Sequence, residues 1–82
     1  MPPRPAYRRL IVADLIRKIE DGTYAPGEKL PKQADLAEFY DCSIEPVKAA
    51  LNELEIRGYV EGHQGKGTFV AADPPVRPNP SE

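Results

Sequence analysis

Eighty-two residues make one small domain, and a chain this short buries only about 60% of the surface its unfolded form exposes, so no separate substrate domain fits beside it. Eleven Lys and Arg against thirteen Asp and Glu leave a formal charge of −2, which excludes a uniformly basic surface. One cysteine, Cys42, and one histidine, His63, exclude an intramolecular disulfide framework and a Cys/His metal cluster, and no cofactor is expected.

The amino-terminal stretch "MPPRPAYRRL" lacks the apolar core of a secretory signal, and nothing approaches the roughly 18 consecutive apolar residues that would cross a bilayer. The expectation is a cytoplasmic protein with no membrane partner. Prolines at 2, 3 and 5, and again at 74, 75, 78 and 80, favour extended, unpacked chain. Residues 1–5 and 73–82 are therefore expected to be disordered, Pro-rich segments flanking a folded unit at 6–72.

From Tyr7, apolar residues recur at Ile11, Leu15 and Ile19 with Leu10, Val12 and Ile16 alongside, which predicts one amphipathic helix. Gly22 can take the left-handed conformation that ends it, and "YAPGEKL" supplies a Pro-Gly turn into a short extended stretch at Lys29-Leu30. A second helix follows Pro31, over about Lys32 to Tyr40, with Leu36, Ala37 and Tyr40 inward. Asp41 then occupies a turn position where Asp tolerates the left-handed region.

Ser43 is placed to N-cap a third helix, and Pro46 falls in its first turn, where a missing N–H costs little. Val47, Ala50, Leu51 and Leu54 form its buried stripe, and Arg57-Gly58 closes it. The remainder, "YVEGHQGKGTFVA", reads as a strand at Tyr59–Glu61, a glycine-rich turn, and a strand at Thr68–Ala71. The fold class is thus mainly α with a small β-hairpin: a winged helix-turn-helix of three helices and a two- to three-stranded wing.

Residues 7–70 resemble the amino-terminal DNA-binding domain of GntR-type bacterial regulators. The resemblance rests on Tyr7, Ile11, Leu15 and Ile19; "PGEKLP" at 26–31; "DLA" at 35–37; Ser43, Val47, Ala50, Leu51 and Leu54; Gly58; and "QGKGTFV" at 64–70. It implies a transcriptional regulator, in all expectation a repressor, that binds a double-stranded DNA operator and catalyses nothing. The chain departs from the family pattern in three places. Lys32 and Ala34 stand where a serine cap and an arginine are usual in the second helix. Ile44 and Lys48 replace arginines of the third. Gly62 and His63 replace a basic pair before the wing. The family's carboxy-terminal effector and dimerisation domain is not seen in this chain. The expectation is therefore a short regulator without a small-molecule effector domain, or a shortened piece of a longer one, that is a monomer or weak homodimer and pairs on DNA.

Within this frame the candidate DNA contacts form three groups. Tyr7, Arg8 and Arg9 sit at the start of the first helix, where the arginines can meet phosphate. Lys32, Gln33, Ser43, Ile44, Glu45, Pro46 and Lys48 line the helix-turn-helix. Of these, Glu45 can accept from cytosine, Lys48 can donate to guanine and Ile44 can touch a thymine methyl; the same face also reads as a solvated one with a stray apolar residue. His63, Gln64, Gly65, Lys66, Gly67 and Thr68 make the wing, whose free N–H groups and lysine suit a phosphate. A nucleotide-binding P-loop is excluded, because Lys66 precedes Gly67, position 60 is valine and the following residues are strand-like. Residues 1–30 carry a net +2 and residues 31–70 a net −3. That acidic balance keeps a second function open: a winged helix that binds protein instead of DNA.

Overall fold

The structure, a computed structural model, describes residues 7–75. The residues expected to be disordered at 1–5, and those from 76 onward, lie outside that range. Three helices, α1 (Tyr7–Glu20), α2 (Gln33–Phe39) and α3 (Ile44–Arg57), are followed by strands β1 (Val60–His63) and β2 (Gly67–Val70).

Periodicity explains α1 and α3. Ile11, Val12, Leu15 and Ile19 of α1 and Val47, Ala50, Leu51 and Leu54 of α3 are all buried, so each helix lays one stripe against the other. Ile11, Leu15, Val47 and Leu54 are fully enclosed; burying such side chains contributes about 1.5–3 kcal/mol each. Leu36 and Ala37 of α2 close the same core from below, together with Leu30, Val60 and Val70. Leu10, read beside the apolar stripe, is 52% exposed instead.

The turn between α2 and α3 places Asp41 at φ +57, the left-handed position its short polar side chain tolerates. Ser43 stands at the N-cap of α3 with extended backbone, but its side chain makes no capping hydrogen bond. At the other end Gly58, φ +89, takes the left-handed C-cap, and its N–H and its neighbour Tyr59 N–H donate to Glu55 O at 3.1 Å and Leu54 O at 2.9 Å. A Cβ is disfavoured in that conformation.

The hairpin differs from expectation in its bounds. β1 begins at Val60 and runs through His63, and β2 begins at Gly67, with register Val60↔Val70, Glu61↔Phe69, Gly62↔Thr68 and His63↔Gly67. Only Gln64, Gly65 and Lys66 are left for the tip. Lys66 N–H donates to His63 O at 2.8 Å, and Gly65, φ +78, occupies the turn position that type II turns reserve for glycine. Gly62 lies within the strand, paired with Thr68, and the Glu55 carboxylate of α3 would stand 3.7 Å from a Cβ there, an ordinary contact.

The extended stretch before α2 forms the third layer of the wing. Lys29 bridges Phe69 in antiparallel sense. Gly27 N–H donates to Val70 O at 2.9 Å, Val70 N–H to Glu28 O at 2.8 Å, and Leu30 N–H to Thr68 O at 2.8 Å.

Candidate nucleic-acid interface

Folding gathers the sequence candidates unevenly. An open cleft of about 650 Å³ runs between the start of α2, the start of α3 and the wing, lined by Lys29, Leu30, Pro31, Lys32, Gln33, Ala34, Ile44, Gly65, Lys66, Gly67 and Thr68. Three lysines and no carboxylate line it. Among the described residues none of these lysines is held in an ion pair. The chain's −2 charge thus coexists with a basic concavity at one edge.

The exposed front of α3 continues from this cleft through Glu45, Lys48 and Ala49. Ser43 is exposed at its cap and Pro46 half-buried in its first turn. Ile44 is 38% exposed, enough to offer its methyl groups while its backbone starts the helix. The wing tip, Gln64 to Gly67, is fully on the surface, and Thr68 is half-buried beneath it. His63 does not line this cleft; it lies 3.4 Å from Glu61 and edge-on to Phe69.

The α1 group is not brought to this cleft. Arg8 and Arg9 line a separate groove between α1 and α3. Arg8 donates to Glu53 Oε1 at 2.8 Å, and Arg57 lies 3.5 Å from the same carboxylate. Arg8 therefore staples α1 to α3, while Arg9 is exposed and Tyr7 packs half-buried against the core. Glu53 is one of the acids counted against the reading half of the chain, and these two arginines neutralise it. Such an exposed pair adds at most about 1 kcal/mol to stability.

A second polar cluster links α1 to α2 on a further face. Tyr40 Oη donates to Asp14 Oδ2 at 2.6 Å, Arg17 donates to Oδ1 at 2.6 Å, and Lys18 Nζ lies 3.2 Å from Oδ2. Partial burial pushes the Asp14 carboxyl up, but the Tyr40, Arg17 and Lys18 donors together hold it below its ordinary value. Burial first, then the bond to Asp14, pushes the Tyr40 phenol well above its own. Lys18 also sits 4.5 Å from the centre of the exposed Phe39 ring.

The family model described as bacterial regulatory proteins, gntR family, matches residues 6–70. The chain belongs to the GntR family. This GntR domain is 40% identical over 73 residues to the Exu regulon transcriptional regulator of Escherichia coli K12, covering 89% of this chain and 28% of that protein. It is 36% identical over 78 residues to the arabinose metabolism transcriptional repressor of Geobacillus stearothermophilus, covering 95% of this chain and 20% of the repressor. The chain thus spans less than a third of the curated relatives' length.

Among solved structures, a GntR family transcriptional regulator from Listeria monocytogenes superposes with a TM-score of 0.80 at 27% identity, over 89% of this chain and 63% of that one. AraR(DBD) in complex with operator ORX1 gives a TM-score of 0.77 at 27% identity, over 87% and 82% of the two chains. The family and these relatives are transcriptional regulators, not enzymes, and the winged helix-turn-helix architecture is the one they share. No helix among the described residues of the GntR domain is long and apolar enough to cross a membrane.

Two residues of the interface region were not singled out from the sequence. Glu53 as the partner of Arg57 has a local signal, an i,i+4 spacing on one helix, but its bond to Arg8 has none. Lys29 enters the cleft only because its segment pairs with β2, a contact between parts of the chain that are far apart in sequence.

Proposed function

We propose that this GntR domain binds double-stranded operator DNA sequence-specifically and represses transcription there. The cleft carries the proposal: lysines from the approach to α2 and from the wing line it together with Ile44 at the start of α3, and no carboxylate is among its lining residues. Phosphates seated there would hold α3 with its first turn in the major groove and the wing against the adjoining backbone or minor groove. Lys48, Glu45 and Ile44 are then the side chains in reach of base edges. The likeness to a protein bound to operator ORX1 and to an arabinose repressor supports the same reading.

Base recognition in this domain differs in kind from that of an arginine-rich helix. Lysine is a point charge without the planar fork that pairs two guanine acceptors at once. Specificity would accordingly rest on few contacts, with the partial positive charge at the α3 N-terminus adding to phosphate attraction. Selection from a pool of random duplexes, followed by fluorescence anisotropy on the enriched sequence, tests the proposal. An enriched site bound more tightly than scrambled duplex supports it. A pool without enrichment overturns it in favour of a protein-binding winged helix.

A further inference from the structure

We infer that Lys29 is a second phosphate-binding cation of the wing, carried to the wing tip by a side chain that crosses Gly67. The inference rests on the DNA-binding reading above and adds a contact from outside both the helix-turn-helix and the hairpin.

Strand pairing sets the direction of Lys29. Its neighbour Leu30 is 3% exposed and turned into the core, so alternation along the extended segment turns Lys29 to the outer face. Directly opposite stands Phe69, and Gly67, two residues nearer the tip, shares that face. A Cβ on Gly67 would stand 2.9 Å from Lys29 Cε and 3.7 Å from its Nζ. The first distance is shorter than real Cβ contacts allow, so the lysine stem occupies the space that a side chain would need. The φ of +122 is what calls for glycine at position 67; the space left open there is the one the Lys29 stem crosses, and its flexible end could shift to admit a Cβ.

That passage sets the ammonium beside the wing tip, in the same cleft as Lys66 and Lys32. Among the described residues no carboxylate pairs with Lys29, although Glu28 and Glu61 lie close by in the sheet. Glu28 is occupied by the Ala25 N–H at 2.8 Å, and Glu61 lies 3.4 Å from His63. A compact ammonium on a flexible stem at this place suits a phosphate oxygen, a contact that carries no base preference.

The test is a salt series with the 82-residue chain and a duplex enriched by selection, read by fluorescence anisotropy between about 50 and 200 mM salt. Lys29→Met keeps a stem across Gly67 and removes the charge. It is expected to flatten the log–log salt slope by about 0.9 and to weaken binding about 8-fold at 0.1 M salt, equally on enriched and scrambled duplexes. Lys29→Arg keeps the slope. Lys18→Met removes the same unit of charge from the α1–α2 face and leaves the slope unchanged. Thermal melts accompany each variant, and Lys29→Gln replaces Lys29→Met if the latter does not fold.

An unchanged slope in a folded Lys29 variant overturns the inference, as does an equal flattening by Lys18→Met, which would make the effect one of net charge. Lys66→Ala separates the two levels of the argument. If it flattens the slope while Lys29→Met does not, the DNA-binding reading stands and the role of Lys29 falls. If the wild type binds no duplex, both fall together.

Discussion

At the scale of single residues, Lys48 and Asp14 do different work that different measurements separate. Lys48 is exposed on the front of α3, where a donor can reach guanine O6 or N7. If it reads a base, Lys48→Ala should cost about 1–3 kcal/mol on the preferred site and relax discrimination at one position. Anisotropy on a panel of single-position operator variants checks this; equal weakening on every duplex would make Lys48 a phosphate contact. Asp14 concerns stability instead. Its folded pKa lies below the ordinary 3.8, so between those values the unfolded chain binds more protons than the folded one. The stability it contributes is complete above pH 3.8 and is lost as pH falls through the depressed folded value. Tyr40→Phe removes one of the three donors that lower it. Its urea midpoint should lie below that of the wild type at pH 6, and the gap should narrow as pH falls below 3.8.

At the scale of elements, the wing stands apart from the helices in what holds it. The helices are held by buried stripes, whereas the wing tip has no buried side chain and depends on backbone conformation. Nothing lies within 4 Å of a Cβ placed on Gly65, but its φ is +78. A substitution there is thus a matter of strain and not of collision. Gly65→Val puts a β-branched residue in the left-handed region, where even ordinary residues lose roughly 1–2 kcal/mol. The tip should rearrange and DNA binding should be abolished, while far-UV circular dichroism still reports the three helices. Full binding by Gly65→Val would reduce the wing to a plain turn.

The same contrast explains which elements were legible beforehand. α1 and α3 announce themselves through spacings of three and four along Ile11, Leu15, Ile19 and Val47, Leu51, Leu54, because helix periodicity is local. The bounds of both β1 and β2 differ from the local reading because strand ends follow from register. Gly62, which breaks strand propensity, is paired with Thr68 and backed by α3 all the same. Ser43 carried the right residue type for a cap and stands at the cap position, yet its hydroxyl makes no capping bond.

At the scale of the whole molecule, charge is sorted by folding. Residues 1–30 carry a net +2 and residues 31–70 a net −3, but Arg8 and Arg57 meet Glu53, and Arg17 and Lys18 meet Asp14. Lys29, Lys32 and Lys66 remain together in one cleft. The apolar stripes of α1 and α3 are spent on the shared core, and the large apolar side chains left outside, Leu10, Phe39, Ile44 and Ile56, come from all three helices. The domain should accordingly sediment as a monomer or weak dimer at micromolar concentration. Two copies should assemble on adjacent half-sites about one DNA turn apart. Analytical ultracentrifugation with and without a two-site duplex checks this, and a tight dimer without DNA would contradict it.

By itself the sequence determined the elements, the family and the wing as a turn of glycines and one lysine, because each is written in local spacing or residue type. Only the tertiary structure decided which charges are free. Arg8, a candidate phosphate contact, is bonded to Glu53; Lys29, expected only as part of a short extended stretch, lines the cleft. The reason is that pairing depends on distances between elements, set by how α1 docks on α3 and how residues 27–30 pair with β2, and no local pattern records those distances.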